Sequence, residues 1–271
     1  MWEARLSEDS LLVEREGEVL WVTLNRPDRL NALNRALVDD LRQLFRDLHH
    51  RRDVRVVALR GAGRAFCAGL DLKEEASYSN RDVSGLLDSQ RNIAEVVIAM
   101  RRCPQPIVAM VQGAASGGGF AIALGSDVRL ATPDAIFNAA FIKLGLSACD
   151  IGVSYFLPRM IGSSVASELL LTGDFIGAER AVQLGLVSRV VDADDLERQA
   201  RAMFDSMLAA TPVGLRLTKE SLNYSVDAQG LEAVIAMEDR NQVLCVKDNN
   251  FDEGINAFLE KRRPVYATRA G

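Results

Sequence analysis

Two glycine-bearing stretches hold the atoms best placed to do chemistry with the main chain. One is Gly63-Arg64-Ala65-Phe66-Cys67-Ala68-Gly69-Leu70-Asp71-Leu72-Lys73-Glu74, the other Gln112-Gly113-Ala114-Ala115-Ser116-Gly117-Gly118-Gly119-Phe120. Glycines entering an apolar helix each sacrifice about 1 kcal/mol of helix propensity relative to alanine. They allow close backbone approach and a free φ, so that N–H groups can face a ligand. A helix N-terminus adds a dipole that favours developing negative charge. The triple glycine is therefore one half of a candidate oxyanion hole, and the Gly69-Leu70 loop the other half. Taken singly, each stretch reads as a turn before it reads as a site. Neither is a nucleotide loop: Gly61-x-Gly63 is followed by Phe66 where a third glycine is needed, and no Gly-Lys-Ser/Thr follows either stretch.

Other site chemistries find little material. His49 and His50 are the only histidines, and Cys67, Cys103, Cys149 and Cys245 show no Cys-x-x-Cys spacing, so no metal site is expected. Reduced, buried thiols are the expected state of all four cysteines. Cys149 as a nucleophile lacks a histidine nearby in sequence.

The elements that must position these loops alternate. Val19 to Leu24 reads as a strand ending at the turn Asn25-Arg26-Pro27-Asp28. Leu37, Leu41, Leu44, Phe45 and Leu48 share one helix face. A strand from Val54 to Leu59 follows, then a helix from about Ser84 to Arg101. Next come a strand from Ile107 to Val111, a helix from the triple glycine to about Leu124, and a strand near Val128 to Ala131. Both glycine loops thus follow strands, where open α/β sheets bind ligands. Helices of this length between strands predict parallel crossovers. From about Ile151 the pattern turns helical, apart from a short strand at Leu186 to Val191. The expected organisation is an α/β core over 1–195 and a helical C-terminal region over 196–271.

The 271 residues are 48% hydrophobic and 25% charged, with a formal net charge of -5, and the pI is about 5.3. That balance argues against a nucleic-acid reader. No apolar run approaches the ~20 residues of a membrane helix. The first ten residues resemble neither a secretory signal nor a transit peptide, so a cytoplasmic location is expected.

From Leu20 to Tyr266 the chain resembles the enoyl-CoA hydratase/isomerase (crotonase) superfamily. The resemblance is carried by Thr23-Leu24-Asn25-Arg26-Pro27 with Asn31-Ala32-Leu33, by Ala65 to Leu72, and by Pro106-Ile107-Val108-Ala109. It continues through the triple glycine, Ser126-Asp127-Val128-Arg129, Gly185-Leu186-Val187 and Ala257-Phe258-Leu259-Glu260-Lys261-Arg262. It implies a ClpP-like spiral of β-β-α units and an acyl-coenzyme A thioester as substrate. Its oxygen would be gripped by the N–H groups of Leu70 and Gly118 as it becomes an enolate. The Ala68-Gly69-Leu70-Asp71 loop would hold the adenine end of coenzyme A, with Phe258 and Lys261 reaching it from a neighbouring subunit. A core role for Phe258 remains an equal reading. Coenzyme A enters as part of the substrate, and no separate cofactor is implied. Homotrimers, or hexamers built from them, are expected, with neither nucleic acid nor membrane as partner.

Against the pattern of the family's hydratases, both glutamates are replaced, by Ala121 and Phe141. Asp150 remains, in Gly145-Leu146-Ser147-Ala148-Cys149-Asp150-Ile151-Gly152, one residue farther from the preceding glycine than the aspartate of related isomerases and dehalogenases. An inserted residue leaves its side-chain direction open. It has two readings: a general acid/base with a pKa raised beside an apolar pocket, or an N-cap of the following helix. A third, attack on an activated ring, needs an aromatic cradle that the sequence does not display. Asp71 reads as structural, Glu74 and Glu75 as solvent-facing, and Tyr155 as packing or a site donor. The loop from Ser77 to Leu87 is expected to shape the acyl pocket. The resemblance implies an enoyl-CoA hydratase, or a one-carboxylate isomerase using Asp150, or an acyl-CoA-binding protein of weak activity.

Overall fold

The computed structural model describes residues 10–73, 82–228 and 230–267. Glu74, Glu75 and the Ser77 end of the pocket loop lie outside them. A hairpin of β1 (Leu11–Glu16) and β2 (Val19–Leu24) opens the chain. Beyond β2 the main sheet is parallel, in the order β1-β2-β3-β4-β6-β9, with β3 at Val56–Gly61, β4 at Ile107–Val111, β6 at Val128–Ala131 and β9 at Arg189–Val190. A second, three-stranded sheet runs β5-β7-β8, made of Ala114–Ser116, Ile136–Asn138 and Ile176–Gly177.

Chain and sheets together wind a spiral. Each turn places a strand in the main sheet, then a short stretch beside the second layer, then a helix. The turns are β2, Leu33 and α1 (Arg35–Asp47), then β3, Cys67 and α2 (Val83–Arg102). They continue with β4, β5 and α3 (Gly118–Gly125), then β6, β7 and α4 (Val153–Ile161). Single parallel bridges, Leu33 to Leu70 and Cys67 to Ala115, join the turns that lack a full second strand. The β-β-α expectation is met. The strands of the second sheet are additions to the sequence reading, because two or three residues show no period.

The main sheet is buried on both faces, hence its continuous apolar strands. Leu20, Val22 and Leu24 meet α1, α2 and α3 on one side. Val19 and Trp21 meet Leu196, Ala200 and Phe204 of α7 (Leu196–Leu208) on the other, with Trp21 edge-on to Phe204 at 5.6 Å. Helices α5 (Ser163–Thr172) and α6 (Ala178–Gln183) precede α7. Helices α8 (Pro212–Ser225), α9 (Leu231–Val246) and α10 (Phe251–Leu259) complete the C-terminal region. Lys219 of α8 ties this region to the core. It is buried, pairs with Asp127 at 2.9 Å and donates to the carbonyls of Met100 and Gln105. In contrast, α9 buries none of its residues, and Leu231, Val243 and Leu244 stand exposed. No described helix is long and apolar enough to cross a membrane.

Candidate active site

The loop after β3 is built by residues that precede it by a full turn of the spiral. Asn31 donates its amide to the carbonyls of Ala62 and Ala65 at 2.9 and 2.8 Å, and its Oδ1 accepts the Arg26 N–H at 2.8 Å. Asn31 sits at φ 56°, a left-handed conformation that asparagine tolerates better than most residues. Arg26 donates to the Ala32 carbonyl and pairs with Asp71 at 2.9 Å, with both side chains largely out of water. The structural role expected of Asp71 therefore takes the form of a buried ion pair.

This frame aims one N–H. Leu33 N–H donates to the Gly69 carbonyl at 2.7 Å, and Asp71 N–H donates to the Leu33 carbonyl at 3.0 Å. Backbone groups alternate along such an extended segment, so the Leu70 N–H points away from Leu33. It has no hydrogen-bond partner among the described residues.

The second loop brings the other N–H against it. Gly117 adopts φ 50° and ψ −117°, reversing the chain as α3 begins. Its own N–H is taken by the Asn138 carbonyl at 2.9 Å, and Ala121 N–H closes the first helical turn onto Gly117. Gly118 N–H, inside the first turn, is one of the orphan donors of a helix start. A Cβ on Gly69 would stand 3.3 Å from Gly118 N and 2.8 Å from the Ser116 carbonyl, so the two loops touch. At Gly119 a Cβ would lie 2.1 Å from the Cys67 carbonyl, and only glycine lets α3 sit this close. Two touching loops thus each carry an N–H without a partner among the described residues, one of them at the start of a helix, and such a pair of donors can stabilise an oxyanion.

Around them the two replaced positions are apolar. Ala121 is fully buried, and the nearly buried Phe141 ring edge lies 3.6 Å from where a Gly117 Cβ would be. Behind Gly118 a closed aliphatic slot, too tightly packed to admit a water molecule, is walled by Leu33, Val38, Ile93, Val97, Ile122 and Ile151. Val38 and Ile93 also border an open groove of about 360 Å³ that reaches Leu70 between α1 and α2.

Asp150 stands half-buried on the loop before α4. Its Oδ1 accepts the Ile151 N–H at 2.8 Å and an amide N–H of Gln90 on α2. Burial pushes its pKa above the usual carboxylate range, while those two donors pull the other way. The helix cap is Gly152, with no side chain bonded there, so the N-cap reading of Asp150 fails: its carboxylate turns to α2 instead. Ile151 holds φ 36°, strained for a β-branched residue and worth about 1–3 kcal/mol. That conformation sends its N–H to the carboxylate and its side chain into the slot.

Other expectations divide. Phe258 on α10 is 81% exposed, so this chain alone does not place it in a core. Lys261 follows α10, exposed, at φ 54°. Cys67 and Cys103 are buried, but Cys149 is exposed and Cys245 half-exposed, which corrects the expectation of four buried thiols. Cys149 sits at the outer edge of a short loop whose inward residues are Ala148 and Ile151. Tyr155 donates to Asp227 at 2.6 Å, which engages its hydroxyl with the C-terminal region. Among the described residues, no three of His, Cys, Asp and Glu come together to hold a metal. Sequence reasoning missed the parts played by Gln90 and by the Arg26–Asp71 pair. The opposite charges of two motif blocks signalled the pair, whereas nothing signalled Gln90.

Comparison with known proteins identifies the family. Residues 14–269 match the family described as enoyl-CoA hydratase/isomerase. The protein named probable enoyl-CoA hydratase echA12 of Mycobacterium leprae is 40% identical over 94% of this chain and 88% of its own length. The 1,2-epoxyphenylacetyl-CoA isomerase of Escherichia coli K12 is 33% identical over 94% of this chain and 97% of its own. The crystal structure of an enoyl-CoA hydratase from Bacillus anthracis superposes with a TM-score of 0.89 at 32% identity, covering 95% of this chain and 98% of that one. With its spiral fold and ordered motifs, the chain belongs to the enoyl-CoA hydratase/isomerase family.

Proposed function

We propose that the protein binds an acyl-coenzyme A thioester, holds its carbonyl oxygen between the Leu70 and Gly118 N–H groups, and shifts an enoyl double bond with Asp150 as its one acid/base. One observation carries this reading: two touching loops each hold an unpartnered N–H beside a slot whose wall includes Ile151, and the neighbouring Asp150 is the carboxylate left once Ala121 and Phe141 are apolar. Asp150 in its ionised form removes a proton from Cα of a 3-enoyl thioester. The electron pair moves into the carbonyl, and the two N–H groups stabilise the enolate, each worth about 3 kcal/mol of barrier. The proton returns at Cγ, giving the conjugated 2-enoyl product. A raised pKa suits a group that must both take and give a proton near neutrality.

The Ala68-Gly69-Leu70-Asp71 loop receives the adenine end of coenzyme A through its main chain, since the Asp71 carboxylate is engaged by Arg26. Phe258 and Lys261 serve a neighbouring subunit's coenzyme A, and the exposed apolar residues of α9 and α10 support trimers or hexamers. Coenzyme A arrives with the substrate, with no separate cofactor, in the cytoplasm. Hydration of a 2-enoyl-CoA is the second reading, favoured by the names of the relatives.

The test is turnover of crotonyl-CoA and of a 3-enoyl-CoA by wild type and Asp150→Asn. The expected result is isomerisation of the 3-enoyl substrate that falls roughly a hundredfold or more in the variant, with acyl-CoA binding intact. Equal rates remove Asp150 from the mechanism. Hydration of crotonyl-CoA without isomerisation establishes the second reading. Tight binding with no turnover of either leaves an acyl-CoA-binding protein.

A further inference from the structure

Gln90 lies on α2 three residues before Ile93 and seven before Val97, so it shares the helix face that walls the aliphatic slot. Its amide donates to Asp150 Oδ1, the oxygen that also accepts the Ile151 N–H. Two donors on one oxygen leave Oδ2 without a hydrogen-bond partner among the described residues.

Among the described residues, no charged side chain bonds or pairs with the Asp150 carboxylate. On α2, Asp88 pairs with Arg91 at 3.8 Å and Glu95 with Arg46. On α1, Arg42 is engaged by Asp39 and Asn92. Helix α3 has no charged residue, and on α4 Arg159 lies over the Tyr155 ring and pairs with Asp227. Before the loop, Lys143 pairs with Asp174. Burial, one amide and one main-chain N–H are what act on the carboxylate. A lysine or arginine at position 90 would hold Asp150 ionised and bar it from keeping a proton. An amide fixes its direction without adding charge.

We propose that Gln90 is a positioning residue for the acid/base: its amide pins Asp150 Oδ1 so that Oδ2 alone faces the acyl group and carries the proton. The proposal rests on the reading of Asp150 as the acid/base. In the step it serves, the Cα–H bond breaks, its electron pair enters the thioester as an enolate, and an O–H bond forms at Oδ2. The same proton then passes to Cγ as the enolate collapses, and the carboxylate is restored.

The experiment follows trans-3-hexenoyl-CoA isomerisation by wild type, Gln90→Leu and Asp150→Asn across pH. Gln90→Met, unbranched and of similar length, stands in if leucine disturbs α2. Gln90→Leu is expected to lower kcat about tenfold or more while KM stays within about threefold. Because the lost donor favours the ionised form, the acidic limb of the kcat/KM profile should move to higher pH by about half a unit or more. An unmoved limb, with or without a lower kcat, overturns the proposal while an inactive Asp150→Asn keeps the acid/base. Full activity in Asp150→Asn, or no turnover by wild type, overturns both.

Discussion

Replacing Gly119 by alanine should damage the site more than replacing Gly118, although Gly118 is the proposed donor. A Cβ at Gly119 meets the Cys67 carbonyl at 2.1 Å and the Cys67 Cβ at 2.7 Å, where ordinary contact begins at 3.4 Å. Both obstacles belong to a segment fixed from either side, because Cys67 N–H donates to Ala114 and its carbonyl accepts from Ser116. The start of α3 must therefore retreat, by roughly 1 Å, and a shift of that size in a catalytic group typically costs about a hundredfold in rate. Overpacking of this kind costs about 1–3 kcal/mol of stability, which for a chain of this size lowers Tm by roughly 2–12 °C. At Gly118 the nearest obstacle is Leu33 Cδ1 at 2.8 Å, the far end of a side chain that can turn aside. Gly118→Ala should then keep its stability within about 1 kcal/mol of wild type. Thermal unfolding and kcat on a 3-enoyl-CoA read both variants. Wild-type Tm and kcat in Gly119→Ala would refute the claim that this contact sets the distance between the two loops.

Two further expectations concern buried groups. Burial pushes the Cys67 thiol up to about 12 and raises that of Cys103 as well. A thiol reagent applied to the native protein should mark Cys149 first and spare Cys67 and Cys103, as peptide mass analysis reads directly; early labelling of Cys67 would contradict its burial. Arg129, buried behind α3, donates to the carbonyls of Leu186 at 2.6 Å, Ser126 at 2.7 Å and Ala123 at 3.3 Å. Arg129→Met strands these acceptors and should cost about 3 kcal/mol, seen as a lower Tm; an unchanged Tm would show that other donors replace it.

Much of this architecture was written where local pattern is strong. The strands Val19–Leu24 and Ile107–Val111 announced themselves as apolar runs, and α1 by its single apolar face, although its Asn34 cap went unread. Gly117 to Gly119 announced the loop because three glycines have no reason to open a helix otherwise. The second sheet was illegible, since β5, β7 and β8 owe their form to neighbours rather than to any period. So was β1, whose Leu11-Leu12-Val13 passes into an exposed charged stretch. The direction of Asp150 depended on one unusual backbone angle at Ile151 and on a glutamine 60 residues away. Motif residues such as Asn31 and Arg26 were visible by type, but their work on the loop carbonyls appears only once the spiral brings them together.

The proposed division between main-chain donors and a single side-chain carboxylate gives the site two different hereditary fates. The donor groups belong to every residue except proline, so most substitutions at Leu70 leave that N–H present as long as the loop keeps its course. Asp150 has no such redundancy, and nearly any substitution there removes the carboxylate outright. A lineage drifting without selection on turnover would on this reading lose proton transfer first and thioester recognition last. Its descendants would begin as acyl-CoA receptors, open to a new acid or base from any of the side chains that line the same slot.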